Sequence, residues 1–117
     1  MAVETQTTIV NNVVVLRPSG NLLETVDGDS ILHEVDNHIT DINKFILDCS
    51  QLKHLNSTGI SMILKIFTQV RNQGGELLIC AVPKPIEKLL IITKLNSIFT
   101  IFATVEDALE NLKLQDA

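Results

Sequence analysis

Three short runs of apolar residues, at 45–49, 76–82 and 98–102, alternate along this chain with segments whose apolar residues recur every three or four positions. This alternation constrains the fold more than any other feature. Runs with little polar interruption suit strands covered on both faces, and such strands are parallel ones joined by helices. Between the runs, Ile31, Leu32, Val35 and Ile39 predict a helix over 29–40, capped by Asp29 or Ser30, with an earlier start near Thr25 left open by Gly28. Ile60, Ile63, Leu64, Phe67 and Val70 predict the clearest helix, over 58–72, stopped by Gly74-Gly75. Pro83-Lys84-Pro85 opens a short helix with Ile86, Leu89 and Leu90 on its apolar side, broken at Asn96-Ser97. Thr104 and Asp107 resemble a capping box before a last helix built on Val105, Ala108, Leu109 and Leu112, with residues 115–117 expected to fray.

Ahead of these, two β-rich runs at 6–10 and 13–17 flank Asn11-Asn12. Asn tolerates the left-handed backbone of a two-residue hairpin turn. Pro18-Ser19-Gly20 is expected to end the hairpin. The order β-β-α-β-α-β-α-β-α specifies an α/β fold: a mixed, mostly parallel sheet opened by a β-hairpin, with about four helices. The 117 residues are read as one domain, 1–117, with its core over about 5–114.

Composition narrows the function. Four Phe and no Trp or Tyr leave the core to Ile, Leu and Val, and give no aromatic faces for stacking single-stranded bases. A net charge of -5 without Lys or Arg clusters disfavours nucleic acid and anionic membranes as partners. No apolar run is long enough to span a bilayer, and residues 1–8 lack a signal-peptide pattern. The expected location is cytoplasmic. Cys49 and Cys80 are read as reduced, buried thiols, with a disulfide open only if their strands are neighbours. No metal site or cofactor is expected, because no CxxC or HxxxH pairing accompanies them.

The chemistry-bearing stretch joins the buried run at 45–49 to the best helix. Sites in α/β proteins are commonly built where parallel strands hand over to helix N-termini. Asn56 or Ser57 suits the N-cap, Gly59 gives little cover to the first turn, and the Ser57 hydroxyl should lie exposed at the rim. A phosphate there would meet the positive end of the helix dipole, worth about 0.3–1 kcal/mol for an exposed anion. The fold would tolerate it. A partner docked over the rim would meet up to about two added negative charges.

The chain resembles the STAS domain of bacterial anti-sigma factor antagonists over nearly its whole length. The resemblance rests on Asp48 ending a strand, on Asn56-Ser57-Thr58-Gly59-Ile60, and on Gly20-Asn21-Leu22. Gln73-Gly74-Gly75-Glu76-Leu77 and Val105-Glu106-Asp107-Ala108-Leu109 extend it. It implies Ser57 as a phosphorylation site, with Thr58 as the alternative. It further implies an anti-sigma factor with Ser/Thr kinase activity as the partner bound by the unphosphorylated form, and a PP2C-type phosphatase that restores that form. Sigma-factor-dependent transcription would be what is regulated. Asn21, Leu23, His54, Asn56, Ser57, Thr58 and Gly59 are the expected partner-binding residues. Two positions depart from the family pattern: Asn56 stands where an Asp is usual, and Leu23 where many members carry an Asp. Each removes an acid from the same rim.

Other readings remain. A non-phosphorylated STAS scaffold or transport-complex subunit would need neither acid. A phospho-carrier on His38 or His54 is the third, although nothing in the sequence assembles a base, a nucleophile and an oxyanion site, so an enzyme is not expected. His33 and His38 read as solvated, and His54 as a loop residue. Asp27, Asp29, Asp36 and Asp41 read as caps and solvated turns. Leu89-Leu90-Ile91-Ile92 is too short for a membrane element, but part of it is expected to form an apolar docking surface beside the Ser57 helix. The free protein is expected to be a monomer.

Overall fold

The computed structural model describes residues 3–115. Strands β1 (Glu4–Val10) and β2 (Val13–Leu22) form the opening hairpin, with Val10 opposite Val13. Asn11 and Asn12 sit at φ 53° and 63°, the left-handed pair that the sequence reading required. A 3₁₀ turn (Thr25–Gly28) leads into α1 (Asp29–His38), so the two helix starts left open are both used, one by each element. Then follow β3 (Lys44–Asp48), β4 (Leu52–Leu55), α2 (Ser57–Asn72), β5 (Glu76–Cys80) and α3 (Lys84–Ile92). A second 3₁₀ turn (Leu95–Ser97), β6 (Ile101–Phe102) and α4 (Val105–Gln115) complete the chain. The expected fraying thus falls partly on 116–117, which lie outside the described residues.

The sheet order is β1-β2-β3-β5-β6, antiparallel in the hairpin and parallel beyond it, with β4 paired to the end of β2. This is the mixed α/β sheet the sequence implies. The β1–β2 pairing ends at Glu4 opposite Ser19, within the Pro18-Ser19-Gly20 stop, but β2 itself runs on. β3 pairs only with Val14, Val15 and Leu16, so Pro18 removes no donor from that ladder and β2 continues to Leu22. Gly20, at φ +110°, makes the irregularity at which β2 takes β4 as its neighbour. The last two strands are shorter than their apolar runs. Ala81, at φ 55°, ends β5, and Ile98-Phe99 belong to a turn. Phe99 is apolar because it fills the core, edge-on to Phe67 with ring centroids 5.2 Å apart.

The two faces of the sheet carry different layers. Val14, Leu16, Phe45, Leu47, Leu77 and Ile79 meet Ile31 and Val35 of α1, Ile60, Ile63, Ile66 and Val70 of α2, and Ile86 and Leu90 of α3. On the other face, Val13, Val15, Ile46, Leu78 and Cys80 meet Ala108 and Leu112 of α4. Each fully buried aliphatic side chain is worth about 1.5–3 kcal/mol of transfer. Helix α2 buries Met62 and Ile66 as well as the expected Ile60, Ile63 and Val70, while the expected Leu64 and Phe67 are only partly buried.

Strands β3 and β5 are neighbours, and the Cys49 N–H donates to the Cys80 carbonyl at 3.0 Å. The side chains nonetheless enter opposite faces, which rules out a bond between them, and both thiols are free and buried. Burial pushes both thiols up, Cys80 to about 12. They are inert hydrophobes at neutral pH.

Candidate functional site

Chain direction brings the end of β4 to the start of α2 at the carboxyl edge of the sheet. Asn56 is the N-cap. Its Oδ1 accepts the Gly59 N–H at 2.9 Å, and its Nδ2 donates to the Leu23 carbonyl at 3.1 Å. The second bond is open to an amide and closed to a carboxylate, and it joins the two positions that depart from the family pattern. Ser57 is the first helical residue. It is exposed, and its hydroxyl bonds to none of the described residues. The Ile60 N–H reaches the Asn56 carbonyl at 2.9 Å, while those of Ser57 and Thr58 precede the first intrahelical bond. The first turn carries no acidic side chain. An oxyanion on Ser57 would therefore meet donors and a positive dipole end.

The surrounding rim is assembled from three segments. Asn21 lies opposite His54 in the β2–β4 pairing, so His54 belongs to a strand and not to the loop expected there. Leu22 lies opposite Leu55, and Leu23 emerges exposed beside Asn56. Thr58 is half-buried. The sequence-flagged residues Asn21, Leu23, His54, Asn56, Ser57 and Thr58 thus share one edge. Gly59 does something other than uncover the first turn. It is buried, and a Cβ there would run into the Leu22 carbonyl and the Leu55 side chain. Its role is to let α2 close on the end of β2.

Sequence reasoning read Asp27 as a cap or solvated turn and missed its burial at the rim. It is buried rather than solvated, and one oxygen, Oδ2, accepts the Leu23 N–H at 3.0 Å and the Glu24 N–H at 2.8 Å. Those backbone bonds hold its carboxyl below the ordinary value of 3.8. The Glu24-x-x-Asp27 spacing, a capping box on the 3₁₀ turn, was the signal available. Asp27 fixes the loop that presents exposed Leu23 beside Asn56 and leaves Val26 exposed as well.

Asp48, the strand-end landmark, serves elsewhere. Arg17 Nε donates to its Oδ2 at 2.8 Å and the Ser50 N–H to its Oδ1 at 3.0 Å. Burial raises its pKa, but the Ser50 and Arg17 bonds outweigh this and hold the carboxyl below 3.8. The pair lines a polar cavity of about 650 Å³ with Glu4, Gln6, Ser19 and Gln51. Of the other histidines, His33 is exposed on α1, and His38 Nδ1–H donates to the Glu34 carbonyl at 2.9 Å. Among the described residues, no three His, Cys, Asp or Glu side chains are placed to hold a metal ion, and no helix is long and apolar enough to cross a membrane.

A parallel sheet opened by a hairpin, with a capped strand-to-helix junction exposing a hydroxyl, is the build of a small α/β binding domain. The chain belongs to the STAS domain family, whose model matches residues 4–108. It is 27% identical over 104 residues to the anti-sigma F factor antagonist of Paenibacillus polymyxa, covering 87% of this chain and 88% of that protein. The structure superposes on a candidate anti-sigma factor antagonist of Thermotoga maritima with a TM-score of 0.82 at 24% identity, over 93% of this chain and 94% of that one. It also matches the Bacillus cell fate determinant SpoIIAA in its phosphorylated form, with a TM-score of 0.68 at 18% identity, over 95% and 99% of the two chains. At these identities the solved structures establish a shared fold.

Proposed function

We propose that this chain is an anti-sigma factor antagonist that binds a kinase-type anti-sigma factor while Ser57 is unmodified and is released when Ser57 is phosphorylated. The observation that carries the reading is the exposed Ser57 hydroxyl at the start of α2, inside a rim held rigid by Asn56 and Asp27. The name of the Paenibacillus relative and the phosphorylated form of SpoIIAA support it. In the step itself, Ser57 Oγ attacks the γ-phosphorus of ATP. The Oγ–P bond forms as the β–γ bridging P–O bond breaks, the hydroxyl proton leaves to solvent or a kinase base, and ADP departs. A PP2C-type phosphatase would return the hydroxyl by hydrolysis.

The phosphate acts on binding and not on folding, because the helix start welcomes an anion that a docked partner cannot accommodate. Asn21, Leu23, His54, Asn56 and Thr58 would form the contact around Ser57, with Gly59 acting through the close approach of α2.

The test mixes the protein with a recombinant kinase-type anti-sigma factor and ATP, and reads intact mass and binding together. One phosphate on Ser57, none on Ser57→Ala, and constitutive binding by Ser57→Ala are the expected results. Ser57→Asp should keep its unfolding transition and lose about tenfold or more in affinity, 1.4 kcal/mol. Equal binding by Ser57→Asp and the unmodified protein would overturn the reading.

A further inference from the structure

Three of the seven exposed large hydrophobic residues among those described, Ile91 (52%), Ile92 (75%) and Ile98 (48%), fall within eight residues at the end of α3 and the turn that follows. The turn is hydrogen-bonded within itself, the Ile98 and Phe99 N–H groups reaching the Leu95 carbonyl, and it is tied to α3 by the Lys94 N–H to the Ile91 carbonyl at 3.0 Å and the Thr93 hydroxyl to the Leu89 carbonyl at 2.9 Å. The isoleucines are therefore presented by an ordered element. Lys84, Lys88 and Lys94 are exposed on the same segment against a single acid, Glu87, although the chain as a whole carries -5. An apolar patch flanked by cations on an acidic protein selects a partner that is apolar and acidic.

Its place in the fold separates it from Ser57. Both α2 and α3 begin at the carboxyl edge of the sheet, where β4 and β5 end, and run back. Ser57 is the first residue of α2, whereas Ile91 and Ile92 close α3, about 13 Å of helix axis from that edge. Of the Leu89-Leu90-Ile91-Ile92 run, Ile91 and Ile92 are the exposed part, and they lie away from the edge at which Ser57 opens α2.

We infer that the end of α3 and the 95–98 turn form a second docking surface, for an amphipathic helix with an apolar face and acidic flanks, whose occupancy is independent of the state of Ser57. Such a helix would lay its apolar face on Ile91, Ile92 and Ile98 and its carboxylates on Lys88 and Lys94. A bilayer fits less well, because three lysines fall short of the cluster that holds a protein on anionic lipid and the rest of the surface is acidic.

The test titrates the full chain, observed by amide NMR, with a synthetic amphipathic helix carrying leucine on one face and glutamate on the other. A lysine-for-glutamate twin and vesicles of phosphatidylglycerol and phosphatidylcholine run in parallel. Shifts confined to 84–98, a tenfold weaker affinity for Lys88→Glu/Lys94→Glu and for Ile91→Ser/Ile92→Ser, and less than a twofold change for Ser57→Asp support the inference. Both double variants replace exposed side chains, and retained thermal unfolding checks that they fold. Equal binding of the lysine twin, shifts centred on another surface, preferential capture by vesicles, or self-association through the isoleucines in sedimentation would each overturn it.

Discussion

Asp27 and Asp48 are the two buried charged residues among those described, and they are held in opposite ways. Asp27 is held by its own loop: one oxygen takes two backbone N–H groups. Asp48 divides its oxygens between the Ser50 N–H and the guanidinium of Arg17, on the neighbouring strand β2. Both carboxyls are lowered. The first arrangement organises a local loop, and the second ties two strands together. The difference explains the character of the Ser57 rim. Its order comes from backbone donors and the Asn56 amide, so a partner meets mostly uncharged side chains there, with Glu24 as the charged member of the Leu23–Val26 loop.

The largest expected break between the two regions is Gly59→Ala. The added methyl forces α2 off the Leu22 carbonyl and parts Asn56 from Leu23, while Arg17–Asp48 is untouched. A loss of about 3 kcal/mol, the upper end for overpacking, should appear in urea denaturation. Amide shifts should move at 22–28 and not at 17 or 48; equal movement at both would mean that the regions are one unit. Asp48→Ala comes next. It strands the Ser50 N–H and leaves Arg17 alone, but Arg17 is partly exposed and can be solvated, so about 1–2 kcal/mol is expected from the same measurement.

Asp27→Asn should do least at pH 7, since an amide oxygen in the place of Oδ2 can accept both N–H groups. Its effect is on pH dependence. A carboxyl whose folded pKa is lowered adds stability that is present above the unfolded value of 3.8 and lost as pH falls through the lower folded value. Thermal unfolding followed downward from pH 7 should therefore show the gap between the unmodified protein and Asp27→Asn closing below pH 3.8. A gap that persists there would mean that shape, and not charge, is what the loop requires.

The main strands and all four α-helices were legible from local pattern. Asn11-Asn12 named its own turn, and the Thr104 hydroxyl does accept the Asp107 N–H at 3.1 Å. Strand β4 was not legible. Leu52-Lys53-His54-Leu55 has no strong β signal and becomes a strand only because the end of β2 lies beside it. Asp27 looked like any acid at a turn, because nothing in the letters reveals which N–H groups a carboxylate will meet. Phe99 misled for the reverse reason: burial by tertiary packing and burial in a strand leave the same apolar signature, while Ile98 beside it is exposed.

By itself the sequence determined the order of the elements other than β4, a cap at Asn56 or Ser57 and an exposed hydroxyl at residue 57, since periodicity, capping and turn chemistry act over a few neighbouring residues. Only the tertiary structure decided that Asn21, Leu23, His54 and Asn56 share one edge, that Gly59 serves a close approach, and that Cys49 and Cys80 face apart. Those outcomes depend on strand register and on the direction in which each helix runs back, quantities set by contacts between residues far apart in the chain.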